Sequence, residues 1–360
     1  DPLWSRGLGD VYKRQSSQFV DHARKHAESL IKDYKLKTPK HVVEIASNDG
    51  YLLQFFKRNG IRVTGIEPAA SVAKIARERH GIPTIERFFG AQEAERLVQE
   101  IGQADILLAN NVLAHVPDLF DFLSGIKALL KNDGTAIFEF PHLLKLLEGV
   151  QFDTIYHEHY SYLSLLALEP LFTRVGLTVT DVKDIPVHGG SLRVSVRHAQ
   201  KEGVIQDSVQ RLRDREMNAR LHEDAPYVAF SEKINAVVHS LKEILSREQE
   251  WGALIAAYGA PAKGNTLLNT AKINSDLIAF TVDKAPSKCG QFLPGSGISI
   301  LDPSIISVFK PDIILILPWN IKDEIIRDLS FIDQWGGRFL VPIPEPVFID
   351  PHDVQKRQPS

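Results

Sequence analysis

The run His41-Val42-Val43-Glu44-Ile45-Ala46 breaks into Ser47-Asn48-Asp49-Gly50-Tyr51-Leu52-Leu53, and a second apolar run about 20 residues on ends in Glu67-Pro68. A strand, a polar turn, a helix start and then a strand closing on an acid form the opening of a nucleotide-binding βαβ unit. Glu67 stands where a carboxylate accepts hydrogen bonds from a ribose diol. The turn holds one glycine, Gly50, where a dinucleotide fingerprint uses three for a tight turn and close pyrophosphate approach. A cofactor without a pyrophosphate is therefore expected. S-adenosylmethionine has that character: it brings an adenosine to Glu67 and a cationic sulfonium and amino acid to the turn. The same residues also suit an ordinary α/β turn with a surface glutamate, and at this point both readings stand.

Outward from that stretch the pattern stays α/β. Ala104-Asp105-Ile106-Leu107-Leu108-Ala109 reads as a strand running into Asn110-Asn111, and Thr135 to Phe140 as another after the turn Asn132-Asp133-Gly134. Leu177 to Val182 and Ser191 to Val196 read as a late hairpin turned at His188-Gly189-Gly190. Phe19, Ala23, Ala27, Leu30 and Ile31 recur at helical spacing ahead of the first strand, with Ser17 as N-cap. The fold class expected is α/β: a doubly wound, Rossmann-like sheet over 16–200 with ligands at the strands' carboxyl ends.

A polar helical linker over 201–250 should lead to a second Rossmann-like α/β domain over 251–350, followed by a tail, 351–360. Its strands are expected at Ala253 to Tyr258, Leu277 to Val282, Ile313 to Leu317 and Phe339 to Pro342. The turn Gly259-Ala260-Pro261-Ala262-Lys263-Gly264-Asn265-Thr266 is no P-loop, because Asn265 stands where the phosphate-binding lysine should follow the second glycine. Free N–H groups of that turn, with Lys263, would suit a phosphate; a purely structural turn is the other reading. Residues 1–15 show no period and read as a foreign leader or scar. No internal repeat stands out.

Composition is that of a soluble globular protein: of 360 residues 44% are hydrophobic and 24% charged. A net charge of −3 without a basic block favours neither nucleic acid nor an anionic membrane as partner. No apolar run approaches the ~20 residues of a spanning helix. One cysteine, Cys289, excludes an internal disulfide and a thiolate-rich zinc site. A cytoplasmic monomer is expected.

The densest chemistry lies in Asp153-Thr154-Ile155-Tyr156-His157-Glu158-His159-Tyr160-Ser161-Tyr162. One histidine serves as a general base in the first reading, with Glu158 orienting an imidazole. In a second, His157 and His159 bind a metal, completed by Glu158, His142 or His188. The third is a polar loop held by its own hydrogen bonds.

Five stretches then match a family in register: Glu44-Ile45-Ala46-Ser47-Asn48-Asp49-Gly50-Tyr51-Leu52-Leu53, Asn110-Asn111-Val112-Leu113-Ala114-His115-Val116-Pro117-Asp118, Tyr156-His157-Glu158-His159-Tyr160-Ser161-Tyr162-Leu163, His188-Gly189-Gly190-Ser191-Leu192-Arg193 and Tyr258 to Thr266. Together they resemble the sugar-nucleotide C-methyltransferases, S-adenosylmethionine enzymes that methylate a ring carbon of keto-deoxysugars carried on a nucleoside diphosphate. The resemblance runs from about Ser16 to Pro346. Members of that family usually carry an N-terminal cysteine-rich zinc domain, which these residues do not show, so the chain reads as truncated and joined to its leader.

The resemblance implies that His159 removes the proton next to the ketone, with Tyr156 and His115 near the keto oxygen or reacting carbon and Glu158 setting the hydrogen bonding. It implies no metal, because the sulfonium already activates the methyl. For the cofactor, resemblance and spacing agree on Glu44, Ala46, Asn48, Asp49, Gly50 and Tyr51 at the methionine end and Glu67 on the ribose. Pro68 and Phe88 would lie against the adenine, and Asn110 beneath the methionine. Asn111 is expected to contact the sugar, being one helical turn before His115. His188, Ser191 and Arg193 suit a sugar or diphosphate, and Lys263 and Trp319 would line the substrate cleft from the second domain. The alternatives are a sugar-nucleotide epimerase or dehydratase-like enzyme and an inactive sugar-nucleotide-binding module.

Overall fold

The computed structural model describes residues 17–200 and 204–351, with side chains from Val20 onward. The leader, the Ser17 cap, Phe19 and the tail beyond residue 351 lie outside the residues so described. Two compact units share the chain. One takes the chain up to Leu144 together with Glu158–His222; the other takes Lys145–His157 and the chain from Glu223 on.

The first unit is a seven-stranded sheet of β1 (His41–Ile45), β2 (Arg62–Ile66), β3 (Thr84–Ile85), β4 (Ala104–Asn110), β5 (Leu130–Pro141), β6 (Leu177–Ile185) and β7 (Ser191–His198). Its order is β3-β2-β1-β4-β5-β7-β6, with β1 to β5 parallel and β7 antiparallel to β5 and β6. All of β1 is buried, as a strand covered on both faces must be. Successive residues therefore feed opposite cores. Val43, Ile45, Leu107, Ala109, Phe138 and Phe140 pack on one side, while Val42, Ile106, Leu108 and Ile137 meet Ala23, Ala27, Leu30 and Phe56 on the other.

The second unit is a six-stranded sheet of β8 (Ile255–Tyr258), β9 (Phe280–Val282), β10 (Ile300–Leu301), β11 (Ile313–Ile316), β12 (Arg338–Val341) and β13 (Val347–Ile349), in the order β10-β9-β8-β11-β12-β13. The strand expected from Leu277 starts only at Phe280, because Leu277 and Ile278 donate their N–H groups to the Asn274 carbonyl and close a turn.

Three expectations are corrected here. The stretch 201–250 is not a linker: its helices Asp207–Asn218 and Ala225–Glu250 belong to different units. Val209 and Leu212 are buried on the first helix, and Phe230, Val237, Leu241 and Leu245 on the second, so each apolar stripe docks a helix onto its own unit. Nor is 145–157 part of the first unit.

The third correction is a repeat invisible in the sequence. Both units place the strand after the first crossover beside the first, and both end on an antiparallel strand. Ser47 N donates to Ile66 O as Gly259 N donates to Val282 O. Glu67 accepts from Asn48 N and Ala69 N as Asp283 accepts from Ala260 N and Ala285 N. What repeats is backbone hydrogen bonding, which many side chains allow.

Candidate active site

The Ala46–Gly50 turn leaves β1 through three left-handed residues, Ala46 (φ 55), Asn48 (φ 52) and Gly50 (φ 80). Asn and Gly suit that region; at Gly50 a Cβ would also lie 2.9 Å from Ile82 Cγ1. Glu67 ties the turn to the end of β2, accepting from Asn48 N at 3.0 Å and Ala69 N at 2.9 Å. Asn48 Oδ1 accepts from Asp49 N, and Asp49 Oδ1 from Tyr51 N. The cofactor residues read from the sequence at 44–51 and 67–68 thus belong to one hydrogen-bonded end of the sheet.

Glu44 is 1% exposed and its Oε2 makes no hydrogen bond among the described residues; the same holds for Asn110 Oδ1. Burial, and then the negative charges of Asp49, Glu67 and Glu139, push the Glu44 carboxyl well above its usual range. Acidic surroundings with the buried Glu44 and Asn110 oxygens unfilled fit a ligand carrying an ammonium and a sulfonium. Phe89 is turned into the core, edge-on to Phe122 at 5.4 Å, whereas Phe88 is 47% exposed.

The sequence reading missed Glu139, although an acid inside the apolar strand Ala136 to Phe140 was the signal. It is 3% exposed. His22 Nε2 donates to its Oε2 at 3.3 Å, and Arg193 Nε to its Oε1 at 2.6 Å. Burial pushes the Glu139 carboxyl up, but the His22 hydrogen bond and the charges of His26 and Arg193 outweigh that and carry it down to about 2. His26, itself pulled by burial to about 3, is neutral at pH 7, so Arg193 is the counter-charge that persists there.

Arg193 is therefore held by Glu139 and is not a free anion-binding guanidinium. It faces Glu139 across the β5–β7 ladder, and its guanidinium is committed. A carboxyl whose folded pKa is depressed stabilises above the unfolded value near 4.5 and loses that stability as pH falls toward 2. Glu139→Gln should cost about 3 kcal/mol at pH 7, measured by urea unfolding, and the gap from the parent should close between pH 5 and 2. A gap that stays constant down to pH 2 would contradict this ionic role.

Beyond β4, Asn111 is left-handed (φ 54) and its N–H still donates to Glu139 O at 2.6 Å. It ends the strand and does not lie a helical turn before His115, since the helical residues are Leu113–His115 alone. His115 is held by the Tyr156–Tyr162 run: its Nδ1 lies 2.8 Å from Glu158 O. A carbonyl only accepts, so Nδ1 carries the proton. Tyr160 N donates to Ala114 O at 2.7 Å. The His115 and His159 rings meet edge-on at 4.8 Å, and Tyr162 packs on His159 at 6.0 Å.

Three of the residues assigned to catalysis, His115, Glu158 and His159, thus come together in the first unit; Tyr156 lies in the segment Lys145–His157 that belongs to the second. His142, a candidate metal ligand, is instead fully buried against Glu216 at 2.8 Å. No group of three or more His, Cys, Asp or Glu among the described residues is placed to hold a metal ion. Ser191 is also corrected: at 1% exposure it donates Oγ to Val187 O and closes the turn through His188, which is left-handed (φ 55).

In the second unit the first two N–H groups of the Gly259 turn are already taken. Gly259 N donates to Val282 O at 2.7 Å and Ala260 N to Asp283 Oδ2 at 2.8 Å. Gly259 (φ 90) is required, since a Cβ would lie 2.7 Å from Pro318 Cδ. Lys263 Nζ sits 4.2 Å from the Trp319 ring centroid and donates to Asn320 Oδ1. The Trp319 indole donates to Asp153 Oδ2 at 2.6 Å.

Comparison with known proteins divides the chain between β6 and β7 instead. Residues 18–182 match a family described as a methyltransferase domain, and 186–344 one described as a C-methyltransferase C-terminal domain. The C-methyltransferase NovU of Streptomyces niveus is 36% identical over 331 residues, 92% of this chain and 79% of that protein. The ubiquinone biosynthesis O-methyltransferase of Coxiella burnetii is 26% identical over 99 residues, 28% of this chain and 42% of the relative. Among solved structures, the SAH-bound magnesium protoporphyrin IX methyltransferase of Synechocystis PCC 6803 aligns at 14% identity with a TM-score of 0.40, covering 49% of this chain and 82% of that one.

The first unit is a class I methyltransferase fold, and S-adenosylmethionine is its cofactor. The chain belongs to the C-methyltransferase family. No helix among the described residues is long and apolar enough to cross a membrane.

Proposed function

We propose that this C-methyltransferase methylates a carbon next to the ketone of a keto-deoxysugar carried on a nucleoside diphosphate. The substrate class comes from the five motifs; the observation that supports the chemistry is the His115–His159 pair beside the end of β4. Carbon acceptors are poor nucleophiles until a proton leaves, and a C–H flanking a ketone is acidic enough for an imidazole to remove if the enolate oxygen is stabilised. His159 is the proposed base, its ring oriented by His115 and Tyr162. His115, fixed through the Glu158 carbonyl, is proposed to face the keto oxygen or the reacting carbon. Tyr156 keeps its role by resemblance alone, and Asn111, His188, Lys263 and Trp319 remain proposed substrate contacts.

Bound at the Glu44–Glu67 end, S-adenosylmethionine supplies an electrophilic methyl on its sulfonium. The chain's own residues fix the donor: Glu44, Asp49 and Asn110 are proposed for the methionine end, Glu67 for the ribose, and Pro68 and Phe88 for the adenine. A cytoplasmic location and a monomeric state are part of the same proposal.

Incubation of a panel of nucleoside-diphosphate keto-sugars with isotope-labelled methyl donor, followed by mass spectrometry, tests the reading. One labelled methyl on a sugar carbon is expected. Label found only on oxygen, or on no member of the panel, would refute it.

A further inference from the structure

Asp153 has no part in the assignments above, yet it is fully buried. The other fully buried aspartate of the second unit, Asp283, is accounted for by the amides of Ala260 and Ala285. Asp153 is different. Its Oδ2 accepts from Trp319 Nε1 at 2.6 Å, while its Oδ1 has no hydrogen-bond partner among the described residues. The charged group bearing on it is Lys263, from the helix Ala262–Thr270. That ammonium is itself placed against the Trp319 ring and Asn320. A buried carboxylate left half-satisfied costs stability that an apolar residue here would not.

Its place in the chain suggests what the cost secures. Asp153 is the middle residue of the short helix Phe152–Thr154, locked by Thr154 N and Oγ1 to Gln151 O and by Ile155 N to Phe152 O. The next residues are Tyr156, His157, Glu158 and His159. Whatever fixes Asp153 therefore acts on the second-unit part of the run, which ends at His157, one residue before Glu158. We propose that Asp153 is a positioning residue for methyl transfer, its carboxylate anchoring the entry to Tyr156–His159 through the Trp319 indole and Lys263. This rests on the function proposed above.

Burial raises the Asp153 carboxyl to about 6, against the Lys263 charge and the Trp319 hydrogen bond. Desolvation lowers the Lys263 ammonium to about 8. Between these values both groups are ionised; below about 6 Asp153 takes up a proton and the anchor loses its charge. An acid limb in kcat and a titration of Trp319 fluorescence with a midpoint near 6 should both follow.

The test compares the parent with Asp153→Asn, Asp153→Ala and Trp319→Phe. Asp153→Asn keeps an oxygen for the indole, is the mildest change and decides the matter. Its kcat is expected to fall about tenfold, and that of Asp153→Ala up to about 100-fold, with S-adenosylmethionine affinity within about twofold of the parent. The fluorescence titration should vanish in Asp153→Asn and in Trp319→Phe. An Asp153→Asn enzyme with parental kcat, or one whose loss of kcat is matched by loss of cofactor affinity, would overturn the proposal. A parent that methylates no keto-sugar would instead remove the function on which it rests.

Discussion

His159→Asn is expected to reduce methyl transfer by about 1,000-fold, since a positioned general base contributes on the order of 10²- to 10⁴-fold. Asparagine approximates the ring's size and hydrogen-bonding reach but cannot accept and hold a proton at neutral pH. The neighbouring geometry should survive: His115 is fixed by the Glu158 carbonyl, and Tyr160 N by Ala114 O, through contacts that do not involve the His159 side chain. Affinity for S-adenosylmethionine, measured by calorimetry, should therefore stay near the parent's. Solvent-deuterium exchange at the carbon next to the ketone, followed by NMR without methyl donor, should slow in parallel with methylation. Exchange at the parental rate would transfer the base role to another group.

Glu216→Ala should destabilise the first unit by roughly 4 kcal/mol. Glu216 is fully buried and makes three hydrogen bonds: His142 Nε2 at 2.8 Å and Leu165 N at 2.9 Å to Oε1, and Leu166 N at 2.9 Å to Oε2. The last two cap the helix Leu165–Val175, whose next amide, Ala167 N, is taken by Ser164 Oγ. A carboxylate at a helix N-terminus also meets the favourable end of the helix dipole. Alanine would leave an imidazole and two N–H groups buried without acceptors, each costing about 1–3 kcal/mol before water enters the cavity. Urea unfolding read by hydrogen exchange should show the loss in Leu165–Val175 and Asp207–Asn218. Unchanged protection in both helices would mean that the cap contributes nothing.

Glu216 also marks a limit of sequence reading. It lies in Arg211-Leu212-Arg213-Asp214-Arg215-Glu216, where every charged residue looks equally solvated. Burial depends on a helix from residue 207 meeting His142 beyond the end of β5 and the start of the helix Leu165–Val175, and nothing in the local pattern records that meeting. Arg193 is the mirror case. Beside His188-Gly189-Gly190 it resembled an anion contact, but the β5–β7 register sets it opposite Glu139, and register is a property of paired strands. The helical placement of Asn111 fell for a third reason: its spacing to His115 matched a helix, yet the strand's last hydrogen bond, to Glu139 O, holds it left-handed.

The βαβ opening was legible because its information is local. A buried parallel strand must be apolar throughout, the turn needs a glycine at φ 80, and the acid must follow the next strand. The Tyr156–Leu163 run was legible for a related reason, as polar groups crowded beside a strand end are seldom there for packing. From the chain alone, then, come the α/β class, the two-unit plan and the cofactor, with the stretch proposed to bear the chemistry. Tertiary structure alone divided 201–250 between the units, drew Asp153 into the second, gave Arg193 to Glu139 and brought His115 to His159. Those outcomes depend on which distant groups desolvate one another, and a carboxylate's partner is chosen by where the chain folds back, not by its neighbours in sequence.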